Sequence, residues 1–152
     1  MSKWNFPAEW QRLCDGSACP ICIRGRPLDI IVTLDESWLT MSESAPMVGY
    51  ACLVSRVHAV DLHDLTVAQS AAFIQDAHRV SSALSAVTGA VKLNYEIHGN
   101  TLPHLHMHFF PRYPGDPFGT GPINPKAVQR PVYAPGEFDV FRLRLLEALN
   151  AA

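Results

Sequence analysis

Three histidines alternate with bulky apolar residues between Pro103 and Phe110, in the run His-Leu-His-Met-His-Phe. Side chains on a β-strand point alternately to opposite faces, so a strand here carries His104, His106 and His108 on one face. The intervening apolar side chains lie on the other face, where they can pack on a core. Of the seven histidines in the chain, three fall within five positions. The segment therefore predicts a strand that packs on one face and carries a functional site on the other.

The composition of the 152-residue chain is that of a globular protein, with 48% apolar and 17% charged residues. This length is enough for one domain, residues 1–152, with its own core. The net charge of −2 argues against a protein that binds the nucleic-acid backbone. No apolar run approaches the roughly 18 residues of a membrane helix, and the first residues lack the apolar core of a signal peptide. We therefore expect a cytoplasmic protein with neither a nucleic-acid nor a membrane partner.

Short runs rich in β-branched and aromatic residues predict five strands. They cover residues 29–34, 38–42, 47–55, 92–97 and 105–113. Gly49, inside the third of these runs, indicates a bulge or a close approach of backbone. Between the third and fourth runs the sequence changes to a helical pattern. Strands, then one long helix, then strands again predict an α+β domain with helices packed on an antiparallel sheet.

The long helix is predicted to begin after a capping box formed by Thr66 and Gln69 and to end at Gly89. Apolar residues recur at helical spacing along it, namely Val67, Ala71, Ile74, Ala77, Val80, Leu84 and Val87. A second, C-terminal helix over about residues 137–149 is predicted by the spacing of Phe138, Phe141, Leu145 and Leu149. A short helix is expected over residues 4–13, and the Pro- and Gly-rich segment 114–136 predicts an ordered surface loop.

Cys19 and Cys22 form a C-x-x-C motif, a spacing that can turn two thiolates toward one tetrahedral zinc ion. Such a pair needs two more ligands, for which histidines are the natural candidates. A redox pair or two unrelated cysteines remain alternatives, although the βαβ context of a redox motif is absent. In the expected compartment, cysteines are more typical of metal sites or free thiols than of disulfides.

The histidine strand allows two kinds of chemistry. Neighbouring side chains on one face of a strand lie about 6.5–7 Å apart, so three in a row converge poorly on one ion. A three-histidine metal site is one hypothesis, and a strand on which one histidine binds metal while another reacts fits the geometry better. A neutral imidazole is a competent nucleophile toward phosphorus when an acceptor holds its other ring nitrogen.

The run His104-Leu105-His106-Met107-His108-Phe109-Phe110 resembles the H-φ-H-φ-H-φ-φ signature of the histidine triad (HIT) proteins. The resemblance covers residues 19–113, and it is greatest to bacterial HIT hydrolases of the dinucleoside-polyphosphate type. It takes in further segments, which are Gly49-Tyr50, Val54-Ser55-Arg56-Val57-His58, Asn94, Gly99-Asn100-Thr101 and Pro111-Arg112.

The resemblance implies a small α+β fold, usually a homodimer, that hydrolyses or transfers nucleoside monophosphates. It implies that His106 attacks the α-phosphate of a nucleotide conjugate to form a nucleotidyl-histidine, and that His108 contacts the phosphate or leaving group. Dinucleoside polyphosphates, phosphoramidates and aminoacyl-adenylates all present such a phosphate. Transfer to phosphate, a nucleotide-binding module without turnover, and a metal hydrolase are the alternative functions.

The resemblance also assigns binding residues and a metal site. Asn94, Asn100 and Thr101 match positions near the phosphate, and Asp35 lies near the family's ribose contact. The ligands of zinc-containing members match one cluster in this sequence, namely Cys19, Cys22, His58 and His104. A site with four protein ligands implies a structural zinc ion.

Overall fold

A five-stranded antiparallel sheet forms the centre of the computed structural model, which describes residues 3–126 and 130–151. In chain order the strands are β1 (Ile30–Thr33), β2 (Ser37–Thr40), β3 (Ser44–Ala45), β4 (Ala51–Ser55), β5 (Lys92–Glu96), β6 (His106–Arg112) and β7 (Arg130–Pro131). The main sheet has the order β1-β2-β4-β6-β5, and β3 pairs with β7 in a separate two-stranded ladder. The predicted α+β class with an antiparallel sheet is confirmed.

Four α-helices accompany the sheet, which are α1 (Pro7–Cys14), α2 (Pro20–Arg24), α3 (Val67–Thr88) and α4 (Glu137–Ala151). The predicted ends of α3 are confirmed. Thr66 Oγ1 accepts the Gln69 N–H at 3.2 Å, Gln69 Oε1 accepts the Thr66 N–H at 3.0 Å, and Gly89 ends the helix at φ +64°. Within the described ranges, the structure contains no helix with the length and apolar character needed to cross a membrane.

The core lies between one face of the sheet and the two long helices. Met107 and Phe109 point from β6 into this core, and Leu39 and Leu53 join them from β2 and β4. Helix α4 contributes three buried side chains, Phe141, Leu145 and Leu149. The even-numbered residues of β6 therefore face away from the helices, as the alternation of the sequence predicts.

The predicted apolar stripe of α3 is wrong over its first half. Val67 is 89% exposed and Ile74 is 48% exposed, whereas Phe73, outside the predicted stripe, is fully buried. At about 100° per residue, Val67 and Phe73 lie about 120° apart around the helix, so the first half of the predicted stripe faces away from the core. The buried face of α3 includes the charged residue Asp76, which an apolar pattern does not predict. Its carboxylate is buried because it accepts hydrogen bonds from the Glu36 N–H and Ser37 Oγ. The remaining stripe residues divide accordingly, with Ala71 exposed, Ala77, Val80 and Leu84 buried and Val87 half-buried.

The segment after β6 is tied back to the sheet at several points. The Arg112 guanidinium donates to both oxygens of Asp116, at 2.8 and 2.7 Å. Ile123 is buried, and the buried Tyr133 accepts the Gly49 N–H on its hydroxyl at 2.8 Å. Residues 127–129, part of the predicted loop 114–136, lie outside the described residues.

We predict that Gly49→Ala destabilises the fold by about 3 kcal/mol, from left-handed strain plus overpacking. Gly49 has φ +77°, and an added Cβ would lie 2.7 Å from Thr88 Cγ2 and 3.1 Å from Pro111 Cγ. Gly25 has φ +79° with no atom within 4 Å of the same added carbon. Gly25→Ala is therefore the control, with a loss of about 1–2 kcal/mol expected from backbone strain alone. Urea unfolding measures both, and equal losses would contradict the close approach at Gly49.

Candidate functional site

The pairing of β4 with β6 places the histidines beside a cleft. Val54 lies opposite His106, and Cys52 lies opposite His108. All four side chains line a cleft of about 550 Å³ on the face of the sheet away from the helices. The cleft is completed by residues 98–102, which follow β5, by residues 122–126 and by Ile21 of α2. Its volume is typical of a site for a small organic ligand.

His106 is oriented by a main-chain acceptor. Its Nδ1–H donates to the carbonyl oxygen of His104 at 2.7 Å. Because a carbonyl can only accept, this bond fixes the proton on Nδ1 and leaves the lone pair on Nε2. Burial lowers the pKa of the ring, which keeps it neutral. His106 therefore has the tautomer that a nucleophilic imidazole requires.

His108 is paired with a tyrosine. Its Nδ1 lies 2.8 Å from the Tyr50 hydroxyl, and burial raises the pKa of that tyrosine, so the hydroxyl keeps a proton that it can donate to this nitrogen. Burial, followed by the neighbouring His106, lowers the pKa of His108 to about 3. A neutral ring that accepts on Nδ1 carries its proton on Nε2. The His106 and His108 ring centroids are 4.8 Å apart, so the two neutral rings stand side by side in the cleft.

His104 does not share the cleft with the other two histidines. It precedes β6, is 1% exposed, and directs Nδ1 toward Cys19 Sγ at 3.4 Å and Cys22 Sγ at 3.7 Å. His58 Nδ1 lies 3.2 Å from Cys22 Sγ and 3.2 Å from His104 Nδ1. One ligand atom from each of the four residues lies within 4.8 Å of the others. The structure thus gathers the four predicted metal ligands into one cluster.

The other nitrogens of the two cluster histidines are held by main-chain carbonyls. His104 Nε2 lies 2.8 Å from the Ser55 oxygen, and His58 Nε2 lies 2.8 Å from the Cys14 oxygen. Each Nε2–H donates, so each Nδ1 presents its lone pair to the cluster, as in metal-bound histidines. Desolvation and the neighbouring Cys19 raise the pKa of the Cys22 thiol to about 11. Two adjacent thiolates are therefore unfavourable here unless a cation binds between them.

The predicted substrate-binding residues fall into two groups. Asn100 and Thr101 line the cleft together with His106 and His108. Asn94 lies on the same face of the sheet, opposite Phe110, but lines a neighbouring shallow cleft. The Asp35 side chain is 88% exposed and lies 4.0 Å from the Arg79 guanidinium. The structure therefore does not bring Asn94 or Asp35 into the cleft of the histidines.

Several residues at the cleft were not predicted as site residues, among them Cys52, His98 and Lys126, and neither was Tyr50, which contacts His108. The register of β4 against β6 sets Cys52 opposite His108, which the sequence of β4 alone does not reveal. His98 follows β5, where no pattern in the sequence indicates a role. Lys126 comes from the Pro- and Gly-rich segment, whose path no periodicity predicts.

The comparison with known families agrees with this geometry. The sequence model of the HIT domain matches residues 25–115. That range is more than half of the chain and contains β1, β2, β4, β5 and β6 of the main sheet. The chain therefore belongs to the HIT domain family, which confirms the resemblance at the level of the family. No curated protein matches the chain.

Solved structures of HIT proteins share the fold. A histidine triad protein of Bradyrhizobium japonicum has 30% sequence identity and a TM-score of 0.70, over 79% of this chain and 89% of that one. A HIT protein of Sinorhizobium meliloti has 25% identity and a TM-score of 0.68, over 78% and 87%. A zinc-bound histidine triad family protein of Mycobacterium smegmatis has 19% identity and a TM-score of 0.67, over 90% and 99%.

We predict that ¹H–¹⁵N NMR finds His106 as the Nδ1–H tautomer and His108 as the Nε2–H tautomer. The His108 ring should stay neutral down to about pH 5, where an unperturbed histidine is charged. The pKa of His108 is lower in the folded than in the unfolded chain, so the neutral ring stabilises the fold above the unfolded-state pKa. This stabilisation declines as the pH falls below the unfolded-state pKa. Tyr50→Phe removes the hydroxyl beside His108 Nδ1, so His108 should become a mixture of tautomers while His106 keeps its Nδ1–H tautomer. A mixed tautomer of His106 in the unmodified protein would contradict the assignment.

Proposed function

We propose that the protein is a hydrolase of nucleotide conjugates, such as dinucleoside polyphosphates, and that it acts at the α-phosphate. The observation that carries the proposal is the His106 Nδ1–H bond to the His104 carbonyl, at 2.7 Å, in a cleft-lining side chain. That bond gives His106 a lone pair on Nε2. Binding alone does not require such a nitrogen, whereas covalent catalysis does.

In the proposed first step, the Nε2 lone pair of His106 attacks the α-phosphorus. A phosphorus–nitrogen bond forms, the bond from phosphorus to the leaving group breaks, and the leaving group takes that electron pair. The Nε2–H of His108 donates to a phosphate or leaving-group oxygen, where negative charge develops. Asn100 and Thr101, at the turn beside the cleft, offer further donors to the phosphate oxygens.

In the proposed second step, water attacks the same phosphorus. The phosphorus–nitrogen bond breaks, its electron pair returns to His106, and the water proton is lost to solvent as the nucleoside monophosphate leaves. Two displacements of this kind replace one difficult hydrolysis. Inorganic phosphate in place of water would make the protein a phosphorylase. The predicted contacts of Asn94 and of Asp35 remain proposals from family resemblance, and the two steps do not depend on them.

We propose that zinc occupies the cluster of Cys19, Cys22, His58 and His104. A tetrahedral zinc ion with bonds of about 2.0–2.3 Å separates its ligand atoms by about 3.3–3.8 Å. The measured separations of 3.2, 3.4 and 3.7 Å agree with that geometry. The zinc-bound protein of Mycobacterium smegmatis supports the choice of metal. Zinc with four protein ligands supplies structural support and has no open position for water.

We also propose that the protein is a cytoplasmic homodimer. The homodimer follows from the resemblance alone, and the exposed edge of the sheet supports it. Strand β5 is an edge strand, and Val91, Tyr95 and Ile97 at or beside it are 69%, 50% and 40% exposed. Exposed apolar side chains at an unpaired strand edge favour pairing with a second chain.

We predict that His106→Ala lowers kcat by at least about 10³-fold, since removing a nucleophile usually has an effect of that size. The fold should remain, because the substitution alters the cleft and leaves the opposite, core-facing side of β6 unchanged. Hydrolysis of diadenosine tetraphosphate measures the loss, and mass spectrometry of the unmodified protein, quenched and kept at alkaline pH where a phosphorus–nitrogen bond survives, detects nucleotide on the histidine. His78→Ala, on the exposed face of α3, is the control. Near-normal turnover by His106→Ala would contradict the covalent mechanism and favour a metal hydrolase.

We predict about one zinc per chain by elemental analysis, and less than half of that in Cys22→Ser. The Tm of this variant should fall by several degrees, because the cluster joins α2 to the segments that carry His58 and His104. Cys14→Ser is a matched control, since its carbonyl, the group that accepts from His58, is unchanged. A chelator should reproduce the effect of Cys22→Ser. Full zinc content in Cys22→Ser would remove that residue from the proposed ligand set.

A further inference from the structure

The Glu96 carboxylate, to which the sequence assigned no function, joins two walls of the cleft. The Glu96 side chain is 10% exposed and lies at the end of β5, opposite His108. It accepts the Ile123 N–H at 2.9 Å and lies 2.8 Å from His98 Nε2. Ile123 is itself buried against Met47 and Phe110. The carboxylate therefore fixes both the His98 ring and the segment 122–126 against the sheet.

This arrangement places two basic side chains at the rim of the cleft. The centroid of the His98 ring lies 6.4 Å from that of His108, and Lys126 lines the cleft from the segment that Glu96 holds. His106 and His108 line the same cleft as His98 and Lys126. Both basic side chains therefore lie on walls that a group bound at His106 and His108 would contact.

No acidic side chain lines the cleft in the part of the chain that the structure describes. Glu96 lies behind the rim, where Ile123 and His98 engage its carboxylate. If a phosphate oxygen binds at the other ring nitrogen of His98, the ring has an anion at each nitrogen. Two such acceptors favour a ring that donates a hydrogen bond from both nitrogens. The rim thus fits an extended anion that continues beyond the α-phosphate.

We propose that His98 and Lys126 form a subsite for the phosphate chain of the leaving group, with Glu96 as the positioning residue. The subsite deepens the proposed function and rests on it. It selects polyphosphate conjugates over phosphoramidates and aminoacyl-adenylates, whose leaving groups carry no further phosphates. During the first step, the two side chains donate to the polyphosphate that departs with the electron pair of the broken bond.

The test compares two substrates with the same α-phosphate, diadenosine tetraphosphate and adenosine 5′-phosphoramidate. His98→Asn and Lys126→Met should each raise KM for the tetraphosphate about tenfold, the effect of one charge-assisted hydrogen bond. Values for the phosphoramidate should change less than about threefold, since both variants leave the reacting histidines intact. Lys126→Arg should restore most of the loss. His78→Asn and Lys3→Met, which lie outside the cleft, are matched controls.

Binding of inorganic tripolyphosphate, measured by calorimetry, separates the subsite from the reaction. The unmodified protein should bind tripolyphosphate, and His98→Asn and Lys126→Met should weaken that binding about tenfold. If the two variants lose both substrates equally or lose neither, the subsite is wrong while the proposed hydrolase stands. If neither substrate is hydrolysed but tripolyphosphate binding still depends on both residues, the hydrolase is wrong and the anion subsite stands.

Discussion

The pairing register between β4 and β6 is the constraint on which the site depends. It sets Val54 opposite His106 and Cys52 opposite His108, with Met107 and Phe109 on the core side. A slip of one residue would turn the imidazoles into the core and the apolar side chains toward the cleft. Phe109 is fully buried in the core that the sheet forms with α3 and α4, and this burial makes such a slip unfavourable. The same burial that stabilises the sheet therefore decides that His106 and His108 lie on the cleft face of β6.

His104 connects the cluster of possible metal ligands to the reacting histidine through the main chain. Its side chain directs Nδ1 to the two cysteines, and its own carbonyl accepts the proton of His106 Nδ1. A change in the position of His104 would thus move the acceptor that sets the tautomer of His106. Ser55 contributes on both sides, because its N–H donates to the Leu105 carbonyl and its own carbonyl accepts from His104. The geometry of the cluster and the orientation of the His106 ring therefore both depend on one short segment.

Local patterns in the sequence predicted most of the fold and the face of β6 that carries His106 and His108. The strand alternation at residues 106–110, the capping box at Thr66 and the left-handed stop at Gly89 are local signals, and each is confirmed. His104, predicted on the same strand face, instead precedes β6 and is buried beside Cys19 and Cys22. The sequence failed where a distant partner decides the outcome. Asp76 is buried because Glu36 and Ser37 satisfy its carboxylate, and no pattern within α3 indicates this. The position of Lys126 depends likewise on the hydrogen bond that the Ile123 N–H donates to the Glu96 carboxylate, which joins residues of different segments.

Two neutral histidines carry no positive charge for an anionic phosphate chain, and basic side chains at the rim of the cleft can supply it. Burial lowers the pKa values of His106 and His108, which supplies a lone pair and a donor but no positive charge at the reacting atoms. A phosphate chain carries several negative charges, but a cation placed directly beside the imidazoles would attract their lone pairs and make them less nucleophilic. Cations at the rim, such as Lys126, avoid that effect, although solvent there weakens each ion pair. Anchoring the rim through the buried carboxylate of Glu96 offsets part of this loss, because groups held in place give up less side-chain entropy when an anion binds.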